Sequence, residues 1–357
     1  MMKEDSKELA LKYKTKKIID LACPVQICAA RFSHCGNVLA AACFDGSVRR
    51  WDSSTDKFTE LTPITGHNGW VQAIAFHPTN KVLYSADSWG KLIASNYLEK
   101  DVMPIWKNDK AHDGWIRKIC TSPDGKLLAT CATDKLIKVW SATDGALVKE
   151  FKDFSWDPMS VAFTPDSKAI LVGDLQGKIA QVDASTGKKL RELDASAMYK
   201  LDRLQDVGGV RCFAFDSKGE KLACGGISPN RGGFVQGPSL VIIFDWKSGK
   251  EISRIQSGSE NDGFVYDLLF VTDSILAGVS SGQPGSGKVF FNLIGETQPF
   301  VSLTNMPNCH SFSLHPLGKK IAVVSTNANS SGNGKVLDKN KDYAANYSPI
   351  NILEIPS

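Results

Sequence analysis

Apolar and polar residues alternate along most of the chain in short runs, each broken by a turn rich in Asp, Gly, Asn and Pro. In "HNGWVQAIAFHP", residues 67–78, the alternation from Val71 onward predicts a strand with one buried face. Trp70 stands in the polar lead-in to that strand, and "HDGWIRKICTSP" at 112–123 repeats the arrangement with Trp115. Aligned on the turn that follows, the chain yields seven copies: "FSHCGNVLAAAC", "FHPTNKVLYSAD", "TSPDGKLLATCA", "FTPDSKAILVGD", "FDSKGEKLACGG", "FVTDSILAGVS" and "LHPLGKKIAVVS". Each copy runs from the alternating strand through a tight turn into a second strand rich in Leu, Val and small residues. A third strand follows, as in "SVRRWD", "LIKVW", "KIAQVD" and "VIIFDW", and then a variable fourth. Trp51, Asn96, Trp140, Val182, Phe244 and Phe291 are expected at one common place in the third strand, mostly 42 to 47 residues apart with one gap of 62.

Four short antiparallel strands at this period predict an all-β fold, a seven-bladed β-propeller, because a lone four-stranded sheet buries both faces only when neighbours stack on it. The last copy offers strands near 309–314, 320–326 and 349–355 and lacks a fourth. The N-terminal strand "KKIIDL", residues 16–21, is expected to fill that place and close the ring, which removes edges that invite aggregation. Residues 1–15 are expected to be a flexible lead and 16–357 a single propeller domain.

Several words in the copies carry a family resemblance. "WD" at Trp51 and Asp52, "GH" at Gly66 and His67, and the run from Ser122 to Trp140 resemble the WD-repeat family, over nearly the whole chain. The resemblance implies a hydrogen-bonded tetrad in each complete repeat: a His before the first strand, a Ser or Thr in the second, an Asp in the next turn and a Trp in the third. The third copy matches throughout, with His112, Thr130, Asp134 and Trp140. The first keeps Asp45 and Trp51 but has Cys23 at the His place, and the second keeps His67 and Ser85 or a near neighbour but has Gly90 and Asn96 for Asp and Trp. The fourth has Gln176 and Val182.

The resemblance also implies that one face, the top, carries the loops into each first strand and those between second and third strands. Before the first strands the chain has Trp70, Trp115, Trp156 or its neighbours, and Phe264; at the residue preceding the turn Asp it has Phe44, Trp89, Thr133 and Leu175. Insertions from Ser228, Ser280 and Thr326 lengthen the later loops on the same face. A gathering of exposed aromatics leaves much apolar area in water, which a partner would cover; the competing account is that each Trp folds down over a neighbouring turn.

Composition changes this picture little. Of 357 residues, 42% are hydrophobic and 22% charged, as in a soluble globular protein. A net charge of +4 is too small and scattered to suggest nucleic acid, and the basic run "KYKTKK" reads as a solvated lead-in. No run of 18 apolar residues predicts a membrane span. Nine cysteines without a C-x-x-C pair, in apolar strand-like runs, read as buried free thiols, and with no secretory signal the expected compartment is the cytoplasm. The sequons at Asn329 and Asn346 then carry no meaning.

Chemistry-bearing motifs are weak. "GVSSG" fits G-x-S-x-G around Ser280, but a strand rather than a helix follows. "GQPGSGKV" has Gly282, Gly287 and Lys288 of a phosphate loop, yet Val289 stands where Ser or Thr should reach Mg²⁺. The histidines, His34, His67, His77, His112, His310 and His315, show no metal-ligand spacing. No cofactor and no metal is expected. The chain reads as a non-enzymatic scaffold, monomeric or a subunit of a larger complex, that binds a peptide or protein segment on its top face. The alternative, by analogy of fold alone, is a metal-dependent, lactonase-like enzyme or small-ligand binder using the channel mouth.

Overall fold

The computed structural model describes residues 6–152, 154, 156–230, 236–283, 285–326 and 347–356. Seven four-stranded antiparallel sheets make a seven-bladed β-propeller. The chain divides into two compact units, Ile27–Ser196 and Met1–Gln26 with Ala197–Ser357.

The unit Ile27–Ser196 holds blades 1 to 4. Blade 2, with strands Val71–Phe76, Val82–Asp87, Leu92–Asn96 and Pro104–Asn108, shows how the pattern sets the fold. Its second strand lies between neighbouring sheets and is buried almost throughout, which is why the second strands of the unit are rich in Ala, Val and Leu. Its outermost strand is largely exposed, Ile105 included. The first strand of each blade of this unit carries a β-bulge near its start, as between Val71 and Ala73 and between Ile116 and Lys118. A bulge adds a residue and re-aims the strand, so the lead-in residues of successive blades turn out at the same end.

The other unit holds blades 5 to 7. Blade 7 has strands Ser311–Leu314, Lys320–Val324 and Ile350–Glu354, and Lys16–Leu21 pairs antiparallel with Ile350–Glu354 to complete it. The gap of 62 residues contains an extra hairpin, Tyr199–Asp202 with Gln205–Gly208, ahead of blade 5. The N-terminal lead differs from a free chain: Ser6–Lys12 is helical, and Leu9 and Tyr13, one turn apart, are buried against Phe291 and Phe300. Two apolar side chains at i and i+4 suffice to dock one turn of helix, a signal too short to separate from a solvated tail. Most of the inserted loops at 231–235 and 327–346, with both sequons, lie outside the described residues. Cysteines are unbridged, and those of the second strands, Cys43, Cys131 and Cys224, are buried.

Candidate protein-binding face

Blade 3 contains the complete tetrad. His112 Nδ1 lies 2.9 Å from Asp134, its Nε2 2.7 Å from the Thr130 hydroxyl, and Trp140 Nε1–H donates to that hydroxyl at 2.9 Å. Burial lowers the His112 pKa, and against burial the hydrogen bond from His112 lowers that of Asp134. The ring is therefore neutral and the carboxyl ionised at pH 7, which makes Nδ1 the donor to Asp134 and Nε2 the acceptor from Thr130. Every member of the chain Trp140, Thr130, His112, Asp134 is satisfied, and Trp140 is buried among Tyr84, Ala94 and Leu128 between blades 2 and 3.

Blade 2 departs from its expected register. The tight-turn bonds from Gly46, Gly90, Lys135 and Gly177 N–H to Cys43, Asp87, Ala132 and Asp174 carbonyls are equivalent, so Trp89, not Gly90, occupies the place of Asp134, and Ser88 precedes it. Ser95, paired with Leu83 as Trp140 is with Leu128, holds the Trp place in lieu of Asn96; by the same register Asn292 replaces Phe291 in blade 6. The carboxylate that His67 needs comes from the strand end: Asp87 lies 3.0 Å from Nδ1, while Nε2 meets Ser85 at 2.7 Å. In "SADSWG" that substitution was the available signal. In blade 1 Asp45 instead caps its own turn through Ser47, and Trp51 is buried.

The tetrad histidines anchor the lead-ins that hold the aromatic residues. Trp70 donates its backbone N–H to Ser88 Oγ at 3.1 Å and accepts from Ser88 N–H at 2.9 Å; Trp115 makes the same pair of bonds with Thr133, at 3.0 and 2.9 Å. The glycine of each "GW" is required by this clamp, since a Cβ on Gly69 would sit 2.4 Å from Ser88 Oγ and one on Gly114 2.6 Å from Thr133 Oγ1. The rings so positioned meet: Phe44 stacks on Trp70 at 4.8 Å, and Trp115 stands edge-on to Trp70 at 5.5 Å. Trp70 remains 42% and Trp115 46% exposed. Trp89, 67% exposed, leans over Gly69 beside them.

Two other aromatics lie elsewhere. Phe264 is buried, with the Arg211 guanidinium 4.4 Å over its ring, so it offers no free surface. It opens the first strand of blade 6, and the cation covering it comes from blade 5, outside the local sequence. Trp156 is half-buried and lines a groove between blades 3 and 4, because Asp157, whose carbonyl accepts from Leu175 N–H, holds the place of Trp70.

Among the described residues no catalytic constellation forms around the weak motifs. Ser280 is fully buried inside the strand Ile275–Ser281, and Lys288 begins a strand and pairs with Asp262 at 3.3 Å. Burial pushes the Cys131 and Cys224 thiols up to about 12. Among the described residues no three His, Cys, Asp or Glu side chains could hold a metal ion, and no helix is long and apolar enough to cross a membrane.

The repeat words and the tetrad are matched from outside as well: the pattern described as "WD domain, G-beta repeat" fits residues 18–52, 58–93 and 106–141. The chain is a WD-repeat propeller. Curated WD-repeat relatives include the nuclear distribution protein PAC1 of Arthroderma benhamiae, 30% identical over 208 residues, 52% of this chain and 44% of that protein. Apoptotic protease-activating factor 1 of Homo sapiens is 27% identical over 150 residues, 41% of this propeller and 12% of that protein. Protein HIR1 of Eremothecium gossypii is 31% identical over 120 residues, 30% and 14% respectively. The WD-repeat propeller thus spans less than half the length of these relatives, and the three matched repeats are those in which the tetrad and the exposed tryptophans lie.

Proposed function

We propose that the chain is a non-enzymatic interaction scaffold that receives a peptide or protein segment on the aromatic surface of Phe44, Trp70, Trp89 and Trp115. A scaffold role is what WD40 relatives such as PAC1 and HIR1 suggest. The observation that carries the finer reading is the mutual contact of three rings held by clamped backbones while two stay nearly half exposed. Each exposed indole keeps about 100 Å² of apolar area in water, so covering it contributes roughly 2–3 kcal/mol per ring. Aromatic anchors on rigid elements lose little entropy on binding and dominate interface energies. The cytoplasm, where free thiols persist, is the setting we assign to it.

The test replaces Trp70 and Trp115 by Ala and compares captured partners by mass spectrometry, with circular dichroism as the fold check. Loss of specific partners is the expected result. An unchanged partner set with the fold intact would sink the reading.

A further inference from the structure

Blade 4 carries none of the tetrad side chains. Its equivalents of His112, Thr130, Asp134 and Trp140 are Phe154, Val172, Gln176 and Val182, fixed by the pairing of Ile170 with Val182 and by the Leu175 N–H bond to Asp157. All four line one cavity of about 680 Å³ between blades 3 and 4. The cause is volume: where Trp140 fills the space between blades 2 and 3, Val182 meets Val139 and leaves a groove. Its floor is apolar, with Phe151, Val172 and Val182 in one buried cluster and Phe154 packed against it. The groove runs along the third strand of blade 4, Lys178–Asp183, from Gln176 to Gly187, a length of roughly 20 Å at strand rise.

Charges on its rim are mostly paired: Glu150 with Lys138 and Lys152, Lys189 with Glu192, Lys178 with Asp194. Asp174 is different. It occupies the place of Asp87, and its Oδ1 accepts from Lys178 N–H at 2.8 Å as Asp87 Oδ1 accepts from Lys91 N–H at 3.0 Å. Asp87 also receives the His67 ring, whereas at the His place blade 4 has Phe154, and among the described residues no side chain donates to Asp174. Burial raises the Asp174 pKa, while for Asp87 the hydrogen bonds from His67, Lys91 and Trp89 outweigh burial and hold it at about 2. Asp174 and Gln176 thus stand at one end of an apolar groove as a carboxylate and an amide lacking a side-chain partner.

We propose that this groove binds an extended segment of a partner protein whose arginine sits against Asp174 where His67 sits against Asp87, its aliphatic stem on Phe154, Val172 and Val182. Among the described residues Asp174 accepts backbone N–H bonds from Lys178 and Gln176 alone, and a guanidinium is suited to the place because its planar fork donates to the Asp174 carboxylate and to the Gln176 amide oxygen together. An extended segment of about six residues matches the length of the groove, and its alternate side chains face the apolar floor.

The probe is a fluorescein-labelled peptide, Arg-Ser-Leu-Ser-Val-Ser-amide, titrated against the full chain by fluorescence anisotropy. Citrulline in place of the arginine keeps shape and removes charge; it is expected to weaken binding at least tenfold, and Asp174→Asn is expected to do the same without a further loss in combination. Val182→Trp, which refills the groove, is expected to abolish binding, while Trp70→Ala with Trp115→Ala leaves it unchanged, so this site stands or falls apart from the aromatic surface. Should Val182→Trp fail to fold, the citrulline and Asp174→Asn arms decide. Equal binding of the arginine and citrulline peptides, or no binding at millimolar concentration, overturns the proposal. So does phenethylguanidine binding as tightly as the peptide, which would mark a small-cation site, or a concentration-dependent dimer that Val182→Trp dissolves, which would mark a contact between copies.

Discussion

The space between blades 2 and 3 and the space between blades 3 and 4 are framed by equivalent strand positions, yet the first keeps a pocket of only about 170 Å³ and the second a groove of about 680 Å³. Trp140 fills most of the first, tied through Thr130 and His112 to Asp134; Val182, Val172, Phe154 and Gln176 leave the second as a groove. Backbone registers are the same in both blades. Propeller architecture is therefore set by the strand pattern, and the tetrad is a local device that fills and locks one interface at a time. Where it is lost, the fold tolerates a cavity, and polar groups that the tetrad would have satisfied become available to something else.

The comparison can be broken most forcefully at Trp140. Trp140→Ala removes a buried ring and leaves Thr130 without its donor, and is expected to cost about 3–5 kcal/mol in chemical denaturation. If the loss were below about 1 kcal/mol, filling the interface could not be the role of the residue. Next, His112→Phe gives blade 3 the side chain that blade 4 already has. It should cost about 2–3 kcal/mol, because Asp134 and Thr130 lose their partner in a buried setting.

Asp87→Asn and Asp174→Asn sharpen the contrast through pH. The folded-state pKa of Asp87 is depressed to about 2, so its ionised form contributes stability above the unfolded value near 3.8, and that contribution is lost as pH falls toward 2. Wild type should exceed Asp87→Asn by on the order of 2 kcal/mol at neutral pH, and the two unfolding midpoints should converge in acid. For Asp174 the folded pKa is raised, so ionisation at neutral pH costs rather than stabilises, and Asp174→Asn should leave stability at pH 7 unchanged or slightly higher, within about 0.5 kcal/mol. A comparably small effect on folding is expected at the exposed surface: Trp70→Ala should change stability by less than about 1 kcal/mol, measured by thermal denaturation, since the ring is already 42% exposed.

Much of this was legible in the sequence because the responsible forces are local. Alternation, small residues in second strands and turn chemistry mark the blades, and the complete tetrad is written at fixed spacing in the third copy. What escaped depends on groups brought from elsewhere. The burial of Phe264 needs Arg211 from the preceding blade, the docking of Leu9 and Tyr13 needs Phe291 and Phe300, and the partner of His67 moved to Asp87 at the strand end, so that Trp89 took a place assigned to an acid. The groove between blades 3 and 4 is the converse case. In the sequence Gln176 and Val182 are mere departures from a motif, and only their convergence with Phe154 and Val172 shows that the four line one cavity.

The pairing of Lys16–Leu21 with Ile350–Glu354 bears on how the molecule comes into being. Lys17 hydrogen-bonds Asn351 across 334 residues of chain, so of the propeller's own strands the earliest to be synthesised is among the last to find its neighbour. Blades 1 to 4 can form from contiguous sequence while translation proceeds, but blade 7 must wait, and the entropy of closing so long a loop makes that step slow. During the wait, an apolar "IIDL" strand has an unpaired edge in a crowded solution. Chaperone capture of nascent chains should therefore concentrate on this strand rather than on the blades, and supplying residues 350–354 as a separate peptide during refolding should speed the completion of blade 7.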